Sequence, residues 1–96
     1  MRLESDYPEL FNFFGAYFPD SCPERSNDDK VVADFALHEA PELRREVIVQ
    51  GRALLGQGEL PSDEISTEAN RRFESEDDMR RWLGRILMIL EAVDSR

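Results

Sequence analysis

The chain contains one cysteine, one histidine and one lysine, and it has no long apolar run. Each shortage excludes something. Cys22 has no partner, so an internal disulfide cannot form and a reducing compartment is the simplest setting. Cys22 and His38 together fall short of the four nitrogen and sulfur ligands of a structural zinc site. The acids at Asp20, Glu24, Asp28 and Asp29 do not form the twelve-residue calcium loop with its central glycine. No glycine-rich phosphate loop is present, so neither a metal nor a cofactor is expected.

The longest apolar run, Ile86 to Leu90, is five residues long, against the ~20 needed to cross a bilayer. The opening "MRLESDYPEL" lacks the basic-then-apolar pattern of an export signal. A cytoplasmic protein is expected. Catalytic signatures are also missing. Nucleophilic catalysis needs a Ser, Thr or Cys with an activating base. His38 stands beside the apolar face near the end of its helix, where the dipole suits a histidine, and a Cys22–His38 pair carries no local signature. Among 21 acids, pairs of carboxylates are unavoidable and read as solvated surface. No enzyme is expected, and no catalytic residue is assigned.

What the chain does have is negative charge: 21 Asp and Glu against 12 Lys and Arg, a net −9. Residues 1–40 hold −6 of it and residues 41–96 only −3. Such a balance opposes nucleic acid, whose binders must release counterions with Lys and Arg, and it opposes anionic membranes. It favours a basic protein partner.

The 96 residues allow one small domain, with an ordered core over about 7–94. Its patterning is helical almost throughout. Asp6 is placed to cap a first helix, with Pro8 in its first turn, and Tyr7, Leu10, Phe11, Phe14 and Phe18 make an apolar face. Gly15 weakens that helix by about 1 kcal/mol unless a close helix contact offsets it. Residues 19–27, "PDSCPERSN", read as a loop. Asn27 or Asp28 caps a second helix with Val31, Val32, Phe35 and Ala36 inward. Pro41 opens a third that Gly56 and Gly58 stop, a fourth runs from about Pro61 to Arg71, and Ser75 caps the last. Glu76 to Arg80 and Asp77 to Arg81 are spaced as i,i+4 pairs on that last helix. No segment alternates with period two. The expectation is an all-α bundle of about five helices.

Six of the nine aromatic residues crowd into "YPELFNFFGAYFPD". Phe13 and Tyr17 lie off the main apolar face, where they either pack on a flanking helix or stand exposed as partner anchors. Next to them comes an acidic stretch: Asp20, Glu24, Asp28, Asp29 and Asp34. Capping explains part of it, but Asp34 faces away from Val31 and Phe35. Phe13, Tyr17 and these five acids are the candidate partner-binding residues, an aromatic pair ringed by charge. On this reading, Lys at positions 28 and 34 would spare stability and weaken binding.

The stretch "YPELFNFFGAYFPD", followed by "DDKVVADF", "GRALL" and "RRWL", resembles the CdiI-type immunity proteins of bacterial contact-dependent growth inhibition systems. The likeness runs in order over about residues 7–92. It implies an antitoxin that binds the toxic C-terminal domain delivered by a neighbouring cell. That toxin is commonly a nuclease with a basic cleft, which the antitoxin blocks by covering. The free antitoxin would be a monomer or weak dimer. The resemblance assigns no contact residues. Two other readings are an acidic helical adaptor without a toxin partner and a mimic of DNA. The even mixture of signs after residue 41 argues against the mimic.

Overall fold

Proline, serine and acid placement divides the chain into helices in the computed structural model, which describes residues 2–18 and 28–95. The elements are α1 (Leu3–Asp6), α2 (Pro8–Tyr17), α3 (Asp28–His38), α4 (Pro41–Leu55), α5 (Ser62–Ala69) and α6 (Glu76–Asp94). Among the described residues all regular structure is helical, so the protein is an all-α bundle. Five of the six helices are the expected ones. The addition, α1, is a single turn too short to show periodicity in sequence.

Pro8 and Pro41 sit in the first turns of α2 and α4, where a missing N–H costs nothing. Ser75 caps α6: its hydroxyl accepts from the Asp78 N–H at 3.1 Å. The expected cap at Asp6 is not made. Asp6 closes α1 and accepts from the Arg2 N–H, while the free N–H groups of Glu9 and Leu10 at the head of α2 go to Gln50 Oε1 on α4. A tertiary acceptor replaces the local one, satisfying donors that a helix start always leaves open.

At the other end of the fold, α5 stops at Ala69 because Asn70 takes a left-handed conformation, φ 52°. Asn tolerates that region better than most side chains. The Arg71 N–H returns to the Ser66 carbonyl and the Asn70 N–H to that of Thr67, closing the helix in a Schellman motif. Arg71, expected as the last residue of the helix, is thereby turned into the protein.

The long α6 packs against α3 and α4, and α2 packs against α4, α5 and α1. One apolar core joins them, reaching forward to Leu3, which is fully buried ahead of the expected start near residue 7. The aromatic crowding of α2 is largely interior. Phe13 meets Phe35 at 4.5 Å between ring centroids, and Phe14 and Phe18 meet Trp82 at 5.6 and 5.4 Å. Phe73 adds an edge-on contact to Trp82 at 5.0 Å. Such pairs contribute about 0.5–1.5 kcal/mol each beyond their buried area.

At the C-terminal end of the bundle, Arg44 and Arg45 on α4 pair with Asp94 on α6. The hydrogen bond from Arg44 chiefly holds the Asp94 carboxyl below its ordinary range. One turn along, Arg52 pairs with Glu91. Of the spaced pairs expected on α6, Glu76 and Arg80 lie 3.8 Å apart, but Arg80 donates at shorter range to the Leu55 and Gln57 carbonyls that end α4. No helix among the described residues is long and apolar enough to cross a membrane.

Helix α4 meets Leu87 of α6 tightly at Gly51. A Cβ there would lie 2.5 Å from Leu87 Cδ2 and 3.1 Å from its Cγ, inside a side chain that is fully buried. Gly84, in the middle of α6, has nothing within 4 Å of the same position. Gly51→Ala is therefore expected to destabilise the fold by about 1–3 kcal/mol through overpacking. Gly84→Ala should stabilise it by about 0.5–1 kcal/mol by restricting the unfolded chain. Urea denaturation of both variants checks the opposite signs.

Candidate functional site

The seven candidate residues separate in the structure. Asp20 and Glu24 lie outside the described residues. Phe13 is buried at 2 % exposure between Phe35 and Phe18, so the expectation that it anchors a partner is corrected: its ring is spent on the core.

Asp28 is corrected too. It heads α3, as expected of a capping acid, but it is 4 % exposed and faces inward. Arg71 Nε and Nη2 both donate to its Oδ1, at 3.0 and 2.7 Å, and Trp82 Nε1 donates to its Oδ2 at 2.6 Å. The same arginine donates to the carbonyls of Ala69 and Asn70, and at 3.5 Å to that of Phe18. It also stacks over the Phe18 ring. No buried side-chain polar atom among the described residues lacks a partner. Asp28 is a structural carboxylate. Lys at this position would strand Arg71 in the core, so the charge reversal expected to spare stability is a folding mutation.

Asp29 is exposed but already answered, because Arg85 Nη2 donates to its Oδ2 at 2.8 Å. That bond chiefly raises the Arg85 pKa further. His38 is exposed, and its Nδ1 lies 2.7 Å from the Asp34 carbonyl, to which it donates. It terminates α3.

Tyr17 and Asp34 remain at an accessible place. Both are half-buried, on α2 and α3. The Tyr17 hydroxyl donates to Glu39 Oε1 at 2.7 Å, and its ring stands edge-on to Phe35 at 5.1 Å. Partial burial and then the Glu39 carboxylate push its pKa up to about 12, with Asp34 adding to the effect. Tyr17 lies in a shallow groove of about 90 Å³ between α2, α3 and α4, floored by Phe13, Phe35 and Leu43 and rimmed by Glu9 and Glu39. That volume is well below the ~300–1,000 Å³ of a drug-sized ligand site, so the groove suits the tip of one side chain. Glu39 is the residue that sequence reasoning passed over. It follows His38 directly, and only the hydrogen bond from Tyr17, 22 residues away, marks it.

A second groove, of about 310 Å³, flanks α2 on its other side against α1 and α5, with Phe11 at its base and Glu4, Asp63, Glu64 and Glu68 around it. Arg2 also lines it. Glu64 is partly engaged, accepting from the Leu3 N–H at 2.6 Å. The contact that Gly15 was expected to permit is here, with a side chain rather than a helix backbone: a Cβ on Gly15 would lie 2.7 Å from Glu68 Oε2.

Charge is therefore sorted by face. Residues 2–18 and 62–69 carry Glu4, Asp6, Glu9, Asp63, Glu64 and Glu68 against Arg2 alone, a balance of −5. Within the described residues, none of those six carboxylates is ion-paired. Helices α4 and α6 carry seven carboxylates against six arginines, several in mutual pairs. Compared with protein-family models, curated proteins and solved structures, the chain matches none.

Two outcomes follow for the site residues. Asp28→Ala should cost about 3–5 kcal/mol, because it leaves a buried guanidinium uncompensated, whereas Asp29→Ala should cost less than about 1 kcal/mol. Chemical denaturation distinguishes them. Raising the Tyr17 pKa favours the neutral phenol in the folded state. Its contribution to stability is therefore complete below pH 10 and is lost as pH rises towards about 12. Comparing wild type with Tyr17→Phe in an alkaline absorbance and denaturation series isolates this component, which the Phe variant should lack.

Proposed function

We propose that the protein is a non-catalytic binding module that neutralises a basic protein. Specifically, it is an immunity protein that binds the toxic C-terminal domain of a cognate contact-dependent growth inhibition toxin, a nuclease, and covers its active site. The observation that carries this reading is the sorting of charge. Within the described residues, the carboxylates of α1, α2 and α5 are left without arginine partners, while on α6 Asp94, Glu91 and Glu76 pair with arginines and the charge of α4 and α6 together comes to only −1. Unpaired surface carboxylates at one face repel one another and weaken the fold unless something else selects them.

A cleft that holds nucleic acid is lined with Lys and Arg, since phosphate contacts supply most of its affinity. An acidic surface seated there replaces the phosphates and excludes substrate without any bond being made or broken. The opposite fields also speed encounter, which matters for a protein that must reach a toxin before the toxin reaches its target. The toxin assignment itself is supported by the ordered likeness of "YPELFNFFGAYFPD", "DDKVVADF", "GRALL" and "RRWL" to CdiI-type immunity proteins.

The test is co-expression with the C-terminal domain of any large secreted toxin found encoded beside this chain. Growth should be restored and a one-to-one complex should purify, with affinity falling about tenfold or more as salt is raised from low to physiological levels. Growth arrest despite co-expression, with no complex on size-exclusion chromatography, would refute the assignment.

A further inference from the structure

The exposed face of α2 separates the two acidic grooves, and little projects from it. Pro8, Asn12, Gly15 and Ala16 follow at i, i+4, i+7 and i+8 and form a low ridge, all of them exposed. On one side of the ridge the Tyr17 ring lies beside a floor of Phe13, Phe35 and Leu43, and the rim is Glu9 and Glu39. On the other the floor is Phe11 and the rim includes Glu64 and Glu68. Each groove pairs an apolar base with carboxylate edges. An arginine side chain suits both: its stem lies on apolar surface, its planar head stacks on an aromatic ring, and its N–H groups meet carboxylates.

We infer that the exposed face of α2 is the centre of the contact with a basic partner, which straddles this helix and seats one arginine in each flanking groove. This rests on the reading above that the partner is a basic protein. It adds where that partner sits and what it presents: two arginines set roughly one helix width, ~10 Å, apart. Charge complementarity selects this face over that of α4 and α6, where arginines nearly balance carboxylates and leave only −1, against −5 over residues 2–18 and 62–69. The low ridge admits close approach, since no side chain longer than Asn12 stands between the grooves.

The test needs no toxin. A nona-arginine peptide is titrated into the isotopically labelled protein at physiological salt, and backbone amide shifts are followed by nuclear magnetic resonance. Saturable shifts are expected in both grooves, at Glu39 and Leu43 on one side and at Thr67 and Glu68 on the other. Asn12→Arg, on the ridge and outside the core, should weaken peptide binding by about tenfold with the melting temperature unchanged. Met88→Arg, which adds the same charge at a 66 % exposed position on α6, should leave it unchanged. Shifts confined to one groove or to the α4–α6 face, no saturable shift, or equal effects of the two arginine variants would overturn the inference. A toxin complex indifferent to Asn12→Arg would overturn it as well, while leaving the neutralisation reading standing. Peptide shifts in both grooves without any toxin complex would leave this surface standing and remove the toxin.

Discussion

One buried carboxylate holds four parts of this protein in register. Asp28, at the head of α3, takes two hydrogen bonds from Arg71 after α5 and one from Trp82 in α6. Arg71 reaches on to the carbonyl of Phe18, where α2 ends. Every buried side-chain nitrogen and oxygen in the group has a partner, which is the condition under which a buried ion pair is tolerated at all. Apolar side chains of the same volume would pack here with less desolvation cost, but they would not dictate which helix end meets which. The group fixes where α2 and α3 lie on α6, and so it fixes the groove that runs between α2 and α3.

The rest of the electrostatics divides between maintenance and recognition. On α4 and α6, Arg44, Arg45, Arg52 and Arg80 are absorbed by Asp94, Glu91 and the carbonyls that close α4. The exposed pairs among these are individually weak, but seven carboxylates against six arginines leave that face close to neutral. Around α2 the carboxylates cap backbone N–H groups or face solvent, and only Arg2 opposes them. The fold thus gathers −5 of the net −9 around α2, next to aromatic rings that are only half covered. A surface of this kind favours a partner of opposite sign and offers that partner apolar area once it arrives.

Much of the architecture was legible in the sequence because its signals are local. Pro8, Pro41 and Ser75 mark helix starts within a residue, and the apolar spacing of Leu10, Phe14 and Phe18 names the inward face of the aromatic helix. The site was less legible because its determinants are distant in sequence. An acid in the first turn of a helix reads as a cap, and nothing near Asp28 announces that Arg71, 43 residues on, will take it inside. Gln50 as the acceptor for the head of α2 is hidden for the same reason. Asn70 was the one local signal passed over. A left-handed Asn ends α5 two residues early and turns Arg71 inward. Phe13 illustrates a different limit: spacing placed it beside the main stripe, but α2 is covered on more than one side, so its buried surface is wider than a single stripe.

The junction also carries its own optical label. Trp82 is the sole indole in the chain, and its ring nitrogen is bonded to the Asp28 carboxylate. Its emission thus reports on the meeting point of α3, α6 and the segment after α5, with no other fluorophore of its kind to dilute the signal. Loss of that meeting point and loss of the native spectrum become a single event, whereas a molecule resting on the far flank of α2 would leave the colour of the emitted light almost untouched.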